Sequence, residues 1–155
     1  MAPMIESGQA APAFTLTAHT GEAVSLEALR GKTVVLYFYP KDDTPGCTKE
    51  ACSFRDHWAT LQAQGVVVLG VSPDGVASHE KFATKYALPF PLLADPDHAV
   101  AEAYGTWGSK SMYGKTVTGI LRTTFLIGAD GIVRHVFKKP KTDIHAEEVL
   151  ARLAP

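Results

Sequence analysis

The sequence lacks several features by which common classes of protein are recognised. It contains no asparagine, so it has no acceptor for N-linked glycosylation, and its formal net charge of −1 gives no electrostatic reason to expect a nucleic acid or a membrane surface as partner. No apolar run approaches the length of a membrane span, and the chain begins with neither a basic region nor an apolar signal core. We therefore expect a cytoplasmic protein.

Cysteine is also scarce, since the chain holds only Cys47 and Cys52. His57 is the one histidine near them, and this arrangement does not match the ligand spacing of a zinc site. The six histidines are scattered singly, and no phosphate-binding loop or Ser-His-Asp pattern is present. We expect neither a metal nor a cofactor.

The composition that is present is that of an ordinary globular protein. The chain has 155 residues, of which 46% are hydrophobic and 20% charged. A chain of this length can bury a stable core without disulfide bonds or structural metal ions. No internal repeat, low-complexity tract or linker interrupts it. We predict a single domain over residues 1–155.

Strand-like and helix-like segments follow one another along the chain in a defined order. The patterns predict strands at 13–17, 32–39, 66–72, 116–127 and 132–137, short elements at 24–29 and 90–94, helices at 45–64, 75–86, 97–104 and from 142 or 143 onward, and a loop at 106–115. The predicted apolar positions of the last helix are Ile144, Val149, Leu150 and Leu153. This order is typical of a three-layer α/β sandwich with a mixed central sheet, and it resembles a thioredoxin-like fold with an N-terminal strand extension.

The stretch over residues 40–52 joins a buried strand to an amphipathic helix and carries both cysteines. Thr44 is predicted as the N-cap and Pro45 as the first helical residue, so Cys47 falls in the first turn. Unpaired backbone N–H groups and the positive end of the helix dipole stabilise an anion there, which favours the thiolate. Cys47 is therefore a candidate nucleophile.

Cys52 lies five residues beyond Cys47 on the same predicted helix. In an intact helix this spacing separates the two Cα atoms by about 8.7 Å. A disulfide needs them within roughly 4.4–6.8 Å, so the two cysteines can pair only if the first turns of the helix unwind. From spacing alone, Cys52 is either a redox partner of Cys47 or a small buried hydrophobic residue.

Several motifs together resemble those of a known family. Pro40, Thr44 and Cys47 form the pattern P-x-x-x-T-x-x-C directly after a buried strand, and this resembles the active-site motif of the peroxiredoxins. Glu50 and Cys52 within Cys-Thr-Lys-Glu-Ala-Cys are similar to the bacterioferritin comigratory protein, or peroxiredoxin Q, subfamily. The resemblance covers nearly the whole chain.

The resemblance implies a thioredoxin-dependent peroxidase of the atypical two-cysteine type, with a role in antioxidant defence. Such an enzyme reduces hydrogen peroxide and organic hydroperoxides, and it is usually a monomer. Cys47 would be the peroxidatic cysteine, which becomes a sulfenic acid. Cys52 would be the resolving cysteine, which forms an intramolecular disulfide with Cys47 that thioredoxin reduces.

The other motif residues each have a role implied by the family and an ordinary structural alternative. The segment 119–127 is similar to the strand that carries the family's active-site arginine, here Arg122, which would hold the thiolate and the peroxide together; alternatively Arg122 faces solvent. The Thr44 hydroxyl holds the peroxide or caps the helix. Pro40 shields the thiolate from water or only ends the strand, and Glu50 orients an arginine or is an exposed helix residue.

Two other functions are compatible with this predicted fold. A thiol–disulfide oxidoreductase usually carries C-x-x-C, whereas position 50 here is Glu, and it usually has a proline just before the penultimate strand, whereas residues 121–124 contain none. A thioredoxin-like binding domain with idle cysteines requires Pro40, Thr44, Cys47 and Arg122 to occur together by coincidence. The residue pattern favours the peroxidase.

Overall fold

A seven-stranded mixed sheet forms the centre of the protein, which the computed structural model describes over residues 3–153. The predicted domain of residues 1–155 extends two residues further at each end, and these four residues lie outside the described part of the chain. The strands are β1 (Thr15–Ala18), β2 (Ala23–Ser25), β3 (Thr33–Phe38), β4 (Val66–Ser72), β5 (Leu92–Ala94), β6 (Trp107–Met112), β7 (Lys115–Ile120), β8 (Thr123–Ile127) and β9 (Val133–Phe137).

The order of strands in the sheet is β2-β1-β5-β4-β3-β8-β9, and β4 pairs in parallel with both β3 and β5. The other neighbouring strands of this sheet are antiparallel. Strands β6 and β7 form a separate two-stranded antiparallel sheet. The predicted mixed sheet is therefore confirmed, with β3 near its middle.

The helices cover both faces of the sheet and complete three layers. They are α1 (Pro45–Asp56), α2 (Trp58–Ala63), α3 (Val76–Lys85), α4 (Ala99–Tyr104) and α5 (His145–Leu153), with a short 3-10 helix at Glu27–Leu29. Alternate residues of β3 point to opposite faces, so Val35 and Tyr37 pack with α1, α2, α3 and α5, whereas Leu36 and Phe38 pack with α4. Both faces of β3 are buried, which explains why its sequence is a continuous apolar run.

Three segments differ from the prediction. The helix predicted over 45–64 is interrupted at His57, whose backbone leaves the helical region between α1 and α2.

The loop predicted over 106–115 is largely strand β6, which turns at Tyr113 and Gly114, both with positive φ, into β7. The strand predicted over 116–127 breaks at Leu121 and Arg122 because the chain leaves the hairpin there and enters the main sheet. The break puts Arg122 between two strands instead of within one.

Smaller differences concern the ends of elements. Helix α4 has His98 at its N-cap position instead of Asp97, and the Asp95 carboxylate accepts hydrogen bonds from the first turn of that helix. The short element predicted over 24–29 is strand β2 followed by the 3-10 helix, that predicted over 90–94 is the three-residue strand β5, and helix α5 begins at His145. Ile144, predicted as an apolar position of the last helix, lies just before α5 and is exposed. Among the described residues, no helix is long and apolar enough to cross a membrane.

Gly70 in β4 leaves room for the Tyr37 ring, so a larger residue at this position should destabilise the fold. A Cβ at position 70 would lie 2.8 Å from the Cζ and Oη atoms of Tyr37 and 2.9 Å from Cδ2 of Leu92. Because both neighbours are fully buried, they have little space to move. Gly70→Ala should therefore lower the free energy of unfolding by about 1–3 kcal/mol, measured by urea denaturation.

The matched control is Gly75→Ser at the N-cap position of α3. No atom of the described chain lies within 4 Å of a Cβ there, and serine is favoured at an N-cap. The control should retain wild-type stability or gain slightly. Equal losses in the two variants would contradict the packing explanation.

Candidate active site

Cys47 lies in the first turn of α1, directly after the loop that follows β3. Pro45 is the first residue of the helix and Thr44 occupies the N-cap position, both as predicted, and the Thr44 backbone is extended. The first backbone N–H groups of a helix have no acceptor within it, and those of Gly46 and Cys47 belong to this set. The Cys47 side chain is almost fully buried, so these dipoles act on its sulfur with little screening by water.

Arg122 brings a positive charge to the Cys47 sulfur. Its Nη2 donates a hydrogen bond to Sγ of Cys47 at 3.1 Å, and its Nη1 donates to Oε1 of Glu50 at 2.7 Å. Only 23% of the arginine side chain is exposed, so the alternative of a solvent-facing arginine is wrong. Burial alone lowers the pKa of Arg122, but the charges of Glu50 and Cys47 outweigh it and the net shift is upward. The guanidinium is thus a permanent cation shared between a carboxylate and a sulfur.

Gly46 makes the approach of Arg122 possible, and sequence reasoning missed it. A Cβ at position 46 would lie 3.2 Å from Nη2 of Arg122. Any larger side chain would press on the nitrogen that donates to Cys47. The available signal was a glycine inside the first turn of a helix, where glycine is intrinsically unfavourable.

Glu50 is fully buried, so the alternative of an exposed helix residue is wrong. Burial raises its pKa to about 7, although the charge of Arg122 and its hydrogen bond act in the opposite direction. Its second oxygen, Oε2, has no hydrogen-bond partner among the described residues, and Nε2 of His145 lies 4.0 Å from it. Glu50 therefore holds Arg122 with one oxygen while the other is poorly solvated.

Thr44 does not use its hydroxyl to cap the helix. The hydroxyl donates its hydrogen to the carbonyl of Lys41 at 2.9 Å, and no side-chain cap is formed. The Thr44 carbonyl instead accepts the backbone N–H of Thr48 at 2.8 Å. Because its hydrogen is already committed, the Thr44 oxygen is available as an acceptor for an incoming O–H group.

Pro40 and Arg122 line an open cavity of about 440 Å³. The other lining residues come from the β6–β7 hairpin and from the segment after β9: Lys110, Ile120, Leu121, Lys138, Lys139 and Pro140. Burial, followed by the charge of Arg122, lowers the pKa of Lys110. The sequence did not reveal this basic rim, because two distant segments build it and one of them was predicted as a loop.

A buried polar cluster fixes the loop between β3 and α1. The Asp42 carboxylate accepts from the hydroxyl of Ser78 at 2.8 Å and contacts Nδ1 of His79 at 2.6 Å, while Nε2 of His79 donates to the carbonyl of Leu93 at 2.9 Å. The Asp42 backbone N–H donates to Asp74 at 2.7 Å. These contacts tie the loop that carries Pro40 and Thr44 to α3 and the neighbouring strands.

Cys52 occupies a different environment from Cys47. Both cysteines are free, and Cys52 is only partly buried. That burial raises the pKa of the Cys52 thiol; the charge of Arg55 acts in the opposite direction and that of Asp56 in the same direction. Since α1 is intact over both positions, ideal helix geometry separates the two Cα atoms by about 8.7 Å. Within residues 3–153, no group of three or more His, Cys, Asp and Glu side chains is arranged to hold a metal ion.

Comparison with known proteins gives a consistent result over almost the whole chain. Residues 7–136 match the model of the AhpC/TSA family. A putative peroxiredoxin bcp of Coxiella burnetii is 56% identical over 149 residues, which cover 96% of this chain and 99% of that protein. The peroxiredoxin Bcp of Escherichia coli strain K12 is 48% identical over 146 residues, with 94% of each chain covered.

A solved structure with the same fold belongs to the bacterioferritin comigratory protein of Xanthomonas campestris, which has alkyl peroxide reduction activity. It superposes with a TM-score of 0.85 at 41% identity, and the match covers 90% of this chain and 89% of that one.

The raised pKa of Glu50 predicts how stability depends on pH. The folded protein keeps a proton on Glu50 up to about pH 7, whereas an unperturbed glutamate releases it near 4.5. The folded state therefore binds more protons in this window, and this contribution to stability is present below pH 4.5 and is lost as the pH rises through 7. From pH 5 to 8, the unfolding free energy of wild type should fall relative to Glu50→Gln, on the order of 2–3 kcal/mol.

Denaturant unfolding of both proteins across this pH range measures the difference. Glu80→Gln, which removes an exposed carboxylate from α3, is the matched control and should run parallel to wild type. Parallel curves for wild type and Glu50→Gln would show that Glu50 does not titrate in this window.

Proposed function

The chain belongs to the AhpC/TSA family and is a peroxiredoxin of the Bcp, or peroxiredoxin Q, group, and we propose that it reduces hydrogen peroxide and organic hydroperoxides through a thiolate at Cys47. The observation that carries this proposal is the 3.1 Å hydrogen bond from Arg122 to the Cys47 sulfur at a helix N-terminus. A cation and helix dipoles converge on one sulfur, and this combination stabilises a thiolate.

The first step is an in-line displacement at oxygen. The Cys47 thiolate attacks the terminal oxygen of the hydroperoxide, an S–O bond forms and the O–O bond breaks. The sulfur is oxidised to a sulfenic acid, and the departing oxygen takes up a proton to leave as water or an alcohol. Negative charge moves from sulfur to the departing oxygen, so donors near Cys47 must serve both atoms.

The surrounding residues supply the groups that this displacement needs. Arg122 lies against the sulfur and can also donate to the peroxide, and the N–H groups of Gly46 and Cys47 can stabilise the departing oxygen. The Thr44 oxygen, whose own hydrogen goes to Lys41, can accept the O–H of the peroxide and orient it. Pro40 limits the access of water to the thiolate.

We include organic hydroperoxides among the proposed substrates because the cavity beside Pro40 and Arg122 has space for an alkyl group. Its volume of about 440 Å³ greatly exceeds what hydrogen peroxide requires, and it opens directly onto Arg122. The relative from Xanthomonas campestris, with alkyl peroxide reduction activity, supports the same extension.

The second step joins Cys47 to Cys52. The Cys52 thiol attacks the sulfenic sulfur, a disulfide forms and water leaves. Because helix geometry holds the two residues beyond disulfide reach, the first turns of α1 must unwind. Unwinding brings both sulfurs to the surface, where a dithiol protein of the thioredoxin type can reduce the bond by thiol–disulfide exchange.

Substitution of the nucleophile tests the first step. In Cys47→Ser, peroxide consumption should be abolished because a serine hydroxyl stays protonated at neutral pH and cannot replace the thiolate. Peroxide loss and free-thiol titration after mixing with hydrogen peroxide are the measurements. The matched control is Cys52→Ser, which should still consume about one equivalent; turnover by Cys47→Ser would refute Cys47 as the nucleophile.

Removal of the second cysteine tests resolution and unwinding. Cys52→Ser should lose thioredoxin-driven turnover and accumulate sulfinic acid at Cys47 under excess peroxide, as detected by mass spectrometry. In the oxidised wild type, amide hydrogen exchange over residues 45–56 should accelerate relative to the reduced protein. A confirmed Cys47–Cys52 bond with unchanged protection would show that the helix does not unwind.

A further inference from the structure

His145, which the proposed mechanism does not use, lies behind the Arg122–Glu50 pair. It is the first residue of α5, and its ring is fully buried. Its Nδ1 lies 3.0 Å from Oε1 of Glu148, its Nε2 lies 2.7 Å from Oγ1 of Thr124, and the same Nε2 is 4.0 Å from the unpartnered Oε2 of Glu50. The ring therefore stands beside Glu50 without bonding to it.

The contacts of the ring assign its protons. The Glu148 oxygen, which also accepts the backbone N–H of Lys141, can only accept when ionised, so Nδ1 of His145 carries a hydrogen. Burial lowers the pKa of His145 despite the neighbouring Glu148, which leaves the ring neutral and Nε2 without a hydrogen. The Thr124 hydroxyl then donates to Nε2. In this state His145 has no hydrogen to give to Glu50.

We propose that His145 is a positioning residue: with its Nε2 engaged by Thr124, it withholds a partner from Glu50 and thereby sets the pH range over which Glu50 can hold Arg122 against Cys47. This inference rests on the proposed peroxidase function only where it concerns the rate. Its statement about the hydrogen-bond partners of Glu50 stands on the geometry of the cluster and does not depend on that function.

The groups that face Glu50 come from four parts of the fold. Arg122, in the link between β7 and β8, favours the Glu50 carboxylate, and Glu148 of α5 disfavours it. Cys47 of α1 shares Arg122 with Glu50. Tyr37 of β3 is neutral because burial raises its pKa. Among these, His145 is the one neighbour that could add a second hydrogen bond to Glu50 by taking up a proton.

The connection to the reaction runs through the guanidinium. Arg122 uses Nη1 for Glu50 and Nη2 for the Cys47 sulfur, so a proton on Glu50 weakens the anchor that keeps Nη2 in place. The rate of the peroxide step should therefore fall on the acid side of the pH at which Glu50 takes up its proton. A stronger hydrogen-bond partner for Glu50 should move this fall in the rate to lower pH.

Thr124→Val is the informative substitution because it conserves volume and removes only the group that occupies Nε2. The ring can then take a proton on Nε2 and share it with Oε2 of Glu50. We expect the titration midpoint of Glu50 to fall by about one pH unit. The rate of Cys47 oxidation below that midpoint should rise up to about tenfold.

The double variant Thr124→Val/His145→Phe decides whether the effect passes through the imidazole. Phenylalanine keeps the aromatic contacts of the ring with Phe54 and Phe137 but has no proton to share. The midpoint and the rate profile should return towards wild type. Thr106→Val, which alters a buried threonine whose hydroxyl donates to the carbonyl of Ala101 away from this cluster, is the matched control and should leave the Glu50 midpoint unchanged.

Carboxyl carbon NMR, with the Glu50 signal assigned by its loss in Glu50→Gln, follows the midpoint without any turnover. Stopped-flow oxidation of Cys47 from pH 5 to 9 follows the rate. An unchanged midpoint in Thr124→Val, or a shift that persists in the double variant, overturns the role of His145. A midpoint that shifts as expected in a protein that does not react with peroxide would instead refute the proposed function.

Discussion

The site depends on one guanidinium that is largely removed from water and has two partners. A buried cation is costly unless it is paired, and Arg122 meets this condition with the Glu50 carboxylate on one nitrogen and the Cys47 sulfur on another. The planar guanidinium of arginine can donate to two partners in fixed directions through separate nitrogens, whereas the single ammonium group of lysine cannot. The hydrogen bond from Nη2 to the Cys47 sulfur is therefore the contact on which the proposed chemistry depends.

The fold supplies the space and the rigidity that this pairing requires. The break between β7 and β8 turns Arg122 out of the sheet, and Gly46 leaves room beside Nη2. On the other side of Cys47, Asp42 ties the preceding loop to α3 through Ser78 and His79. The elements around the sulfur are therefore fixed by contacts outside helix α1 itself.

Helix α1 has contacts beyond Cys52 that would remain if its first turns unwound as proposed. The Ser53 hydroxyl accepts the backbone N–H of Ala146 in the first turn of α5 at 3.0 Å, and Phe54 is fully buried against Tyr37 and His145. Loss of the first turns would give up the Arg122 contacts and the packing of Ala51. The anchor at residues 53 and 54 would retain the helix beyond Cys52, so a local change need not spread through the core.

The sequence by itself determined the elements that arise from neighbouring residues. The apolar run of β3, the extended N-cap and the place of Cys47 in the first turn all follow from short-range patterns, and the motif resemblance identified the family. Tertiary structure decided the rest. The partners of Arg122 are 72 and 75 residues away in sequence, so neither its burial nor that of Glu50 could be read from local periodicity. The β6–β7 hairpin and the hydrogen bond of the Thr44 hydroxyl to Lys41 are local, but the residue pattern did not distinguish them from the alternatives. The ring of His145 was set by contacts with Thr124 of β8 and Glu50 of α1, because burial and hydrogen-bond geometry exist only once distant segments have packed together.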